Sequence, residues 1–167
     1  MDQPTKQFGN RPRPSEQNYG GRQQYRGQAP PPQLPTPNPL VYFTDAEKNT
    51  LNPNLVDEGA RESAEAFKRL KVSQMRRFYD ELKAIERRIM VGKDIKEQQA
   101  NFERDRSLIA MFKAKAVYAE KRKVSPREFT QFIFDHVASI NDIKDFKGFL
   151  KVFEAVVAFH KFFSPEN

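Results

Sequence analysis

The chain has 167 residues, 38% of them apolar and 31% charged, which is enough for one domain with an ordinary core. Its net charge of +7 favours a polyanionic partner, most often nucleic acid and sometimes an anionic membrane. The sequence has no cysteine and two histidines, which excludes disulfides, cysteine nucleophiles and histidine-rich metal sites.

Composition changes near residue 40. Residues 1–40 hold nine of the twelve prolines and four of the seven glycines, but one of the fifteen phenylalanines. Such a segment buries too little apolar surface to offset its ordering entropy, so we predict a disordered tail over 1–40 and a helical domain over 41–167. The stretch YGGRQQYRG interleaves arginine and tyrosine, which suits weak contact with RNA; a solubilising or linking role is the alternative.

Residues 41–167 show helical periodicity and no strand signals. The segment 56–70 predicts a short helix. The next helix is expected to run from Ser73, its N-cap, to Met90, and Gly92 predicts a left-handed end. A third helix is expected over about 98–121.

The fourth helix is predicted at the sequence SPRE. Ser125 is the expected N-cap, Pro126 the first helical residue and Glu128 the partner in a capping box. The fifth helix starts at Asn141 or Asp142 and has a phenylalanine-rich face. Short loops join these helices, so we predict an all-α fold, a compact bundle of about five helices behind the tail.

No motif for catalysis or targeting is found. Phosphate-binding, dinucleotide-binding, zinc-protease and serine-hydrolase motifs are absent from the sequence. Asp135 and His136 are adjacent, so on a helix they point about 100° apart, and His160 lies in an apolar helix that favours a structural role. The N-terminus lacks the apolar run of a signal peptide, and the most apolar segment, VFEAVVAFHKFF, is too short to span a bilayer. We predict a soluble, cytoplasmic non-enzyme without cofactor, metal or membrane partner.

The segment KVSQMRRFYDELK places Arg76 and Arg77 near a helix start, where the partial charge is positive and a cation costs about 0.3–1 kcal/mol. With Ser73 and the free N–H groups, the two arginines would bind an anion. Alternatively they pair with Asp80 and Glu81 one turn later, for about 0.3–0.5 kcal/mol per pair. Local energetics leave both interpretations open.

The third helix carries a second basic pattern. At 100° per residue, one stripe away from its apolar side contains Arg104, Met111, Lys115, Tyr118 and Arg122. Lys121 and Lys123 extend the charge past the helix end, and Lys113 stands on another flank. Cations with an aromatic suit phosphates and a base or ribose, although such residues also decorate any solvated helix.

Three blocks occur in order: KVSQMRRFYDELK, LIAMFKAKAVYAEKRK and FLKVFEAVVAFHKFF. Over residues 55–163 they resemble the small subunit of type III-A CRISPR effector complexes, the Csm small subunit. The first 40 residues have no counterpart there. The sequence departs from the family at Glu120 and Lys121, where many relatives have a small residue and glycine, so the family's basic position falls on either Lys121 or Arg122.

The resemblance implies a non-catalytic, all-helical subunit that stacks head to tail in several copies, as a short filament, beside the backbone subunits that hold the CRISPR RNA. It implies contact mainly with the target RNA, while cleavage of that target belongs to the backbone subunit and the DNase and cyclic oligoadenylate activities belong to the large subunit. The RNA-binding residues predicted from it and from the basic patterns are Lys71, Ser73, Arg76, Arg77, Lys113, Lys115, Tyr118, Lys121 and Arg122. The alternatives are a generic, sequence-independent RNA- or DNA-binding helical module, the small subunit of a related type III system, and a protein whose last helix binds a membrane or a partner helix.

Overall fold

The structure is a computed structural model that describes residues 33–164. Its helices are α1 (Pro53–Val56), α2 (Glu58–Ala66), α3 (Val72–Met90), α4 (Ile95–Lys121), α5 (Arg127–Ser139) and α6 (Ile143–Phe163). The β-type pairing in this range is one isolated bridge between Phe43 and Leu51. Because α1 is a single turn, the predicted all-α bundle of about five helices is confirmed. The predicted disorder of residues 1–32 lies outside the described residues.

The core is built around α6, which packs against α1, α2, α3 and α4. Its Phe149 and Phe153 rings stack with centroids 5.7 Å apart, and Phe132 of α5 lies 5.6 Å from Phe153. Full burial of such a side chain contributes about 1.5–3 kcal/mol. The phenylalanines concentrated after residue 40 therefore supply the interior of one bundle. No helix among residues 33–164 combines the length and apolarity needed to cross a bilayer.

α3 and α4 form an antiparallel hairpin. Near one end the rings of Phe78 and Phe112 lie 6.1 Å apart, and near the other Arg88 donates its Nε to Asp105 at 2.9 Å. The short connection requires a close approach, because a Cβ on Gly92 would lie 2.7 Å from the backbone nitrogen of Gln98. Gly92 has a negative φ, so the predicted left-handed cap is wrong and steric room explains the glycine instead.

Two predicted helix caps are also wrong. The N-cap of α3 is Lys71 without a side-chain cap bond, so Ser73 lies inside the first turn. The N-cap of α5 is Pro126, and Ser125 directs its hydroxyl to the Pro126 carbonyl at 3.3 Å. Ser125 therefore does not form the expected capping box with Glu128.

Side-chain caps of the longer helices occur at Asp94 and Asp142, and Asn52 caps the single turn α1. Asp94 accepts from the Glu97 N–H at 2.9 Å, and Glu97 accepts from the Lys93 N–H at 2.8 Å. This pair begins α4 at Ile95, earlier than the predicted start near residue 98. Asp142 is the N-cap of α6, and it is one of the two residues at which this helix was predicted to start.

Residues 33–52 form a strap on α5 and α6: residues 33–42 run along α5, and residues 43–51 make a turn that is closed by the bridge between Phe43 and Leu51. Asn38 N–H donates to Asp135 and Leu40 N–H donates to the Ser139 hydroxyl, both at 2.7 Å. Pro35 is buried. Residues 33–40, which the sequence assigned to the tail, thus make hydrogen bonds to α5 and bury one proline. Polar side chains of α5 thus accept hydrogen bonds from backbone N–H groups of a segment whose composition predicts disorder.

Candidate nucleic-acid interface

The solvent-facing sides of α3 and α4 form one surface. Glu81 of α3 and Lys115 of α4 form an ion pair across the two helices. Continuing that antiparallel register at 1.5 Å per residue places Arg77 beside the turn that contains Tyr118. We call this surface the α3–α4 face and define it by residues at helical spacing: Ser73, Arg77, Glu81, Ala84 and Arg88 of α3, with Arg104, Met111, Lys115, Tyr118 and Arg122 of α4.

The two arginines near the start of α3 are exposed. Arg76 and Arg77 form no ion pair with any residue of the range 33–164, so the predicted pairing with Asp80 and Glu81 is wrong. Glu81 is engaged by Lys115 instead. Because α3 begins at Val72, both arginines lie in the second turn, where the unfavourable dipole effect has largely decayed. They remain available to an external anion.

An aromatic and a cation are paired on α4. The guanidinium carbon of Arg122 lies 5.5 Å from the centroid of the Tyr118 ring, and that tyrosine is 64% exposed. Met111, on the same stripe, is 53% exposed. Such a platform offers a face for stacking on a base or ribose next to a charge for a phosphate.

The remaining predicted residues lie away from the face. Lys113 points to the opposite flank of α4, with its Nζ 5.5 Å from the ring centroid of Phe134 in α5. Lys71 lines a recess with Arg69 and Lys123 at the start of α3. Lys121 is exposed at the end of α4. The α3–α4 face therefore contains Ser73, Arg77, Lys115, Tyr118 and Arg122. Arg76 lines a shallow recess with Ser73 and Arg77 next to this face, and Lys113 is separated from it.

A third basic element was predicted only in part: Arg104 is on the predicted stripe of the third helix, but Arg88 and the carboxylate that holds both arginines were missed. Asp105 is 2% exposed and accepts from both Arg88 and Arg104, whose side chains are more than half exposed. Hydrogen bonds from Arg104 and then from Arg88 hold the pKa of Asp105 well below its usual range. The sequence signal was available, because Asp105 falls on the apolar stripe of α4 with Phe102 and Ile109, and a buried carboxylate requires a cationic partner.

The histidines are structural. Nδ1 of His136 lies 2.8 Å from the Tyr42 hydroxyl, and Nε2 of His160 lies 3.1 Å from the Phe67 carbonyl oxygen. Burial lowers the pKa of His136 to about 3 and also lowers that of His160. Within residues 33–164, no three acidic or histidine side chains converge on a possible metal site.

Comparison with known families identifies the chain. The model of the family described as Csm2 Type III-A matches residues 50–166, well over half of the sequence. The chain therefore belongs to this family of small subunits of the type III-A Csm complex, a CRISPR antiviral effector. No curated protein and no solved structure matches the chain.

Proposed function

We propose that this subunit stacks in several copies along the guide–target RNA duplex and contacts the target RNA backbone through the α3–α4 face. In this proposal the protein is non-catalytic and acts in the cytoplasm. Its partners are the CRISPR RNA, the target RNA, the backbone and large subunits of the Csm complex, and further copies of itself in a short filament.

The observation that carries the proposal is the composition of the α3–α4 face. Arg77 and Arg122 have no carboxylate partner among the described residues, and Tyr118, whose ring contacts Arg122, is mostly exposed. Cations bind phosphates regardless of base identity, and an aromatic ring stacks on any base. Base pairing reads the sequence in RNA-guided complexes, so such indifferent contacts are what a supporting subunit needs.

Reversal of two charges tests the proposal. The double variant Arg76→Glu/Arg77→Glu should weaken binding of single-stranded RNA and of guide–target duplex about tenfold or more, with helicity unchanged. For wild type we expect similar affinity for unrelated sequences and a slope of log affinity against log salt of roughly −2 to −4 on single strands, since each phosphate contact contributes about −0.7. The double variant should flatten that slope.

A matched double variant controls for net charge. Lys147→Glu/Lys151→Glu makes the same charge change at exposed positions of α6. The proposal predicts a clearly smaller loss of affinity for this control. Equal losses in both variants, a salt-independent affinity, or strong preference for one oligonucleotide sequence would contradict it.

A further inference from the structure

One buried carboxylate holds two exposed arginines on the α3–α4 face. Arg88 donates Nε and Nη2 to Asp105 at 2.9 and 3.2 Å, and Arg104 donates Nε and Nη2 at 2.9 and 3.1 Å. Arg104 also donates Nη1 to the Asn101 side chain at 3.0 Å. The four hydrogen bonds from the two guanidinium groups occupy the lone pairs of the carboxylate.

Interhelical packing explains only half of this arrangement. Arg88 joins α3 to α4, so its bond to Asp105 fastens the hairpin. Arg104 is the neighbour of Asp105 on the same helix, so its bidentate bond fastens no two elements. Two cations on one anion leave a net positive charge, and Asn101 restrains the Arg104 guanidinium further. The contacts of Arg104 therefore orient its guanidinium group at the surface and add little to the packing of the helices.

Both guanidinium groups keep unused donors at the surface. An arginine has five N–H donors; the bonds to Asp105 and Asn101 use two of Arg88 and three of Arg104. Their side chains are 58% and 56% exposed. A guanidinium group that is already held in place loses little conformational entropy when it binds a phosphate, and its planar fork matches phosphate oxygens.

We propose that Arg88 and Arg104 form a second contact for the RNA phosphodiester backbone and that Asp105 is the positioning residue that presents them. This inference rests on the proposed function and assigns a specific role to the part of the α3–α4 face that lies farthest from Arg77 and Arg122. From Lys115 to Arg122 the face spans about 10 Å of α4, whereas from Arg104 to Arg122 it spans about 27 Å at 1.5 Å per residue. The strand would thus follow both helices along most of the hairpin.

Neutralising each arginine is the first test, with full-length protein and a labelled single-stranded RNA of mixed sequence. Arg104→Gln should lower the affinity about five- to tenfold at low salt and flatten the salt slope by about 0.7. Arg88→Gln should do the same with some loss of thermal stability, because Arg88 also joins the helices. Arg104→Lys should keep the slope but restore only part of the affinity, since an ammonium lacks the fork.

The matched control is Arg106→Gln. Arg106 lies two residues from Arg104 on α4, pairs with Glu103 and has its guanidinium carbon 5.9 Å from the ring centroid of Phe102. It removes the same charge from the same helix, so we expect a much smaller change in affinity and slope.

The sign of the effect at Asp105 separates positioning from simple charge. Asp105→Asn raises the net charge by one, so electrostatics alone predicts tighter RNA binding. If Asp105 positions the arginines, the folded variant binds RNA more weakly than wild type. Tighter binding by a folded Asp105→Asn protein would overturn the positioning role, and unchanged binding by Arg104→Gln would overturn the second contact.

The outcomes also separate this inference from the proposed function. If Arg76→Glu/Arg77→Glu weakens binding while Arg88→Gln and Arg104→Gln bind as wild type, the second contact fails and the proposed function stands. If none of these variants differs from wild type, the proposed function fails as well. If Asp105→Asn does not fold, Arg88→Gln and Arg104→Gln still decide whether these two arginines contact RNA.

Discussion

His136 illustrates how a buried polar side chain is accommodated in this phenylalanine-rich core. Its ring centroid lies 4.2 Å from that of Phe132 and 5.0 Å from that of Phe149. The Tyr42 hydroxyl lies 2.8 Å from Nδ1, so the neutral ring has a polar partner although it is buried. Burial disfavours the imidazolium, which explains why the pKa falls to about 3.

This pKa predicts a pH dependence of stability. Below an unfolded pKa of about 6.5, the unfolded chain binds a proton that folded His136 does not accept until about pH 3. Stability therefore decreases as pH falls through this window, by up to about 1.4 kcal/mol per pH unit. The lowered pKa of His160 acts in the same direction.

Denaturant unfolding between neutral and mildly acidic pH measures this effect. His136→Gln cannot take up a proton, so it should reduce the slope of unfolding free energy against pH, with a residual slope from His160. His136→Gln with an unreduced slope would show that this histidine is not the group responsible. Protonation of Asp105 adds a separate loss of folding stability only below about pH 4, because its folded pKa is lowered and its bonds to the two arginines require the ionised carboxylate.

At the scale of single elements, periodicity was the most informative signal. The helical periodicity of residues 41–167 agrees with the buried faces of α3 and α6, because burial repeats every 3.6 residues along any helix that covers a core. Capping was harder, since the same residue can cap or make another local bond. Ser125 bonds a neighbouring carbonyl, whereas Asp94 and Glu97 satisfy the free N–H groups where α4 begins.

The α3–α4 face was predictable only in part, because spacing within one helix does not show how two helices meet. Helical spacing placed Lys115 and Tyr118 of α4 on one stripe with Arg122, and the structure has Arg122 as the C-cap residue of α4 with its guanidinium over the Tyr118 ring. Whether Lys113 would join them depended on which flank of α4 meets α3, and that is set by tertiary packing. The contact of Arg88 with Asp105 spans two helices, so it could be inferred only from the need of a buried carboxylate for a partner.

The start of α3 offers a prediction in which stability and binding change in opposite directions. Lys71 occupies the N-cap without a side-chain cap bond. Lys71→Ser should supply that bond and stabilise the protein by about 0.5–1 kcal/mol. If Lys71 also contacts RNA, the same variant should lower RNA affinity and flatten the salt slope by about 0.7.

Thermal unfolding and RNA titration of two variants check this prediction. Lys71→Ala removes the same charge without adding a cap, so it should match Lys71→Ser in binding but lack the gain in stability. Equal stability of the two variants would show that α3 does not gain from a cap. RNA affinity at the wild-type level in both would exclude Lys71 from the interface.

At the scale of the whole molecule, the strap closes the bundle. Lys48 places its Nζ 2.7 Å from both Asp142 and Asp145 at the start of α6. Tyr42 is 2% exposed and packs on Gly148, where a Cβ would lie 3.1 Å from its side chain. These contacts connect positions nearly a hundred residues apart in sequence. No local pattern encodes them, which is why composition alone did not predict that the residues before 52 contact α5 and α6.

The strap leads to a prediction about truncation. Residues 1–32 carry five basic and two acidic side chains, and their composition predicts that they bury little. Their removal should leave the melting temperature nearly unchanged, while a modest loss of RNA affinity and a flatter salt slope would indicate a flexible tether. Removal of residues 1–40 should destabilise the fold, because the N–H groups of Asn38 and Leu40 donate hydrogen bonds to α5 and Pro35 is buried. At about 1 kcal/mol per hydrogen bond, this deletion should lower the unfolding free energy by roughly 2 kcal/mol, measurable by denaturant titration. Equal stability of the two truncated proteins would mean that residues 33–40 contribute nothing to the fold in solution, and a large loss on removing residues 1–32 alone would mean that the tail packs on the bundle.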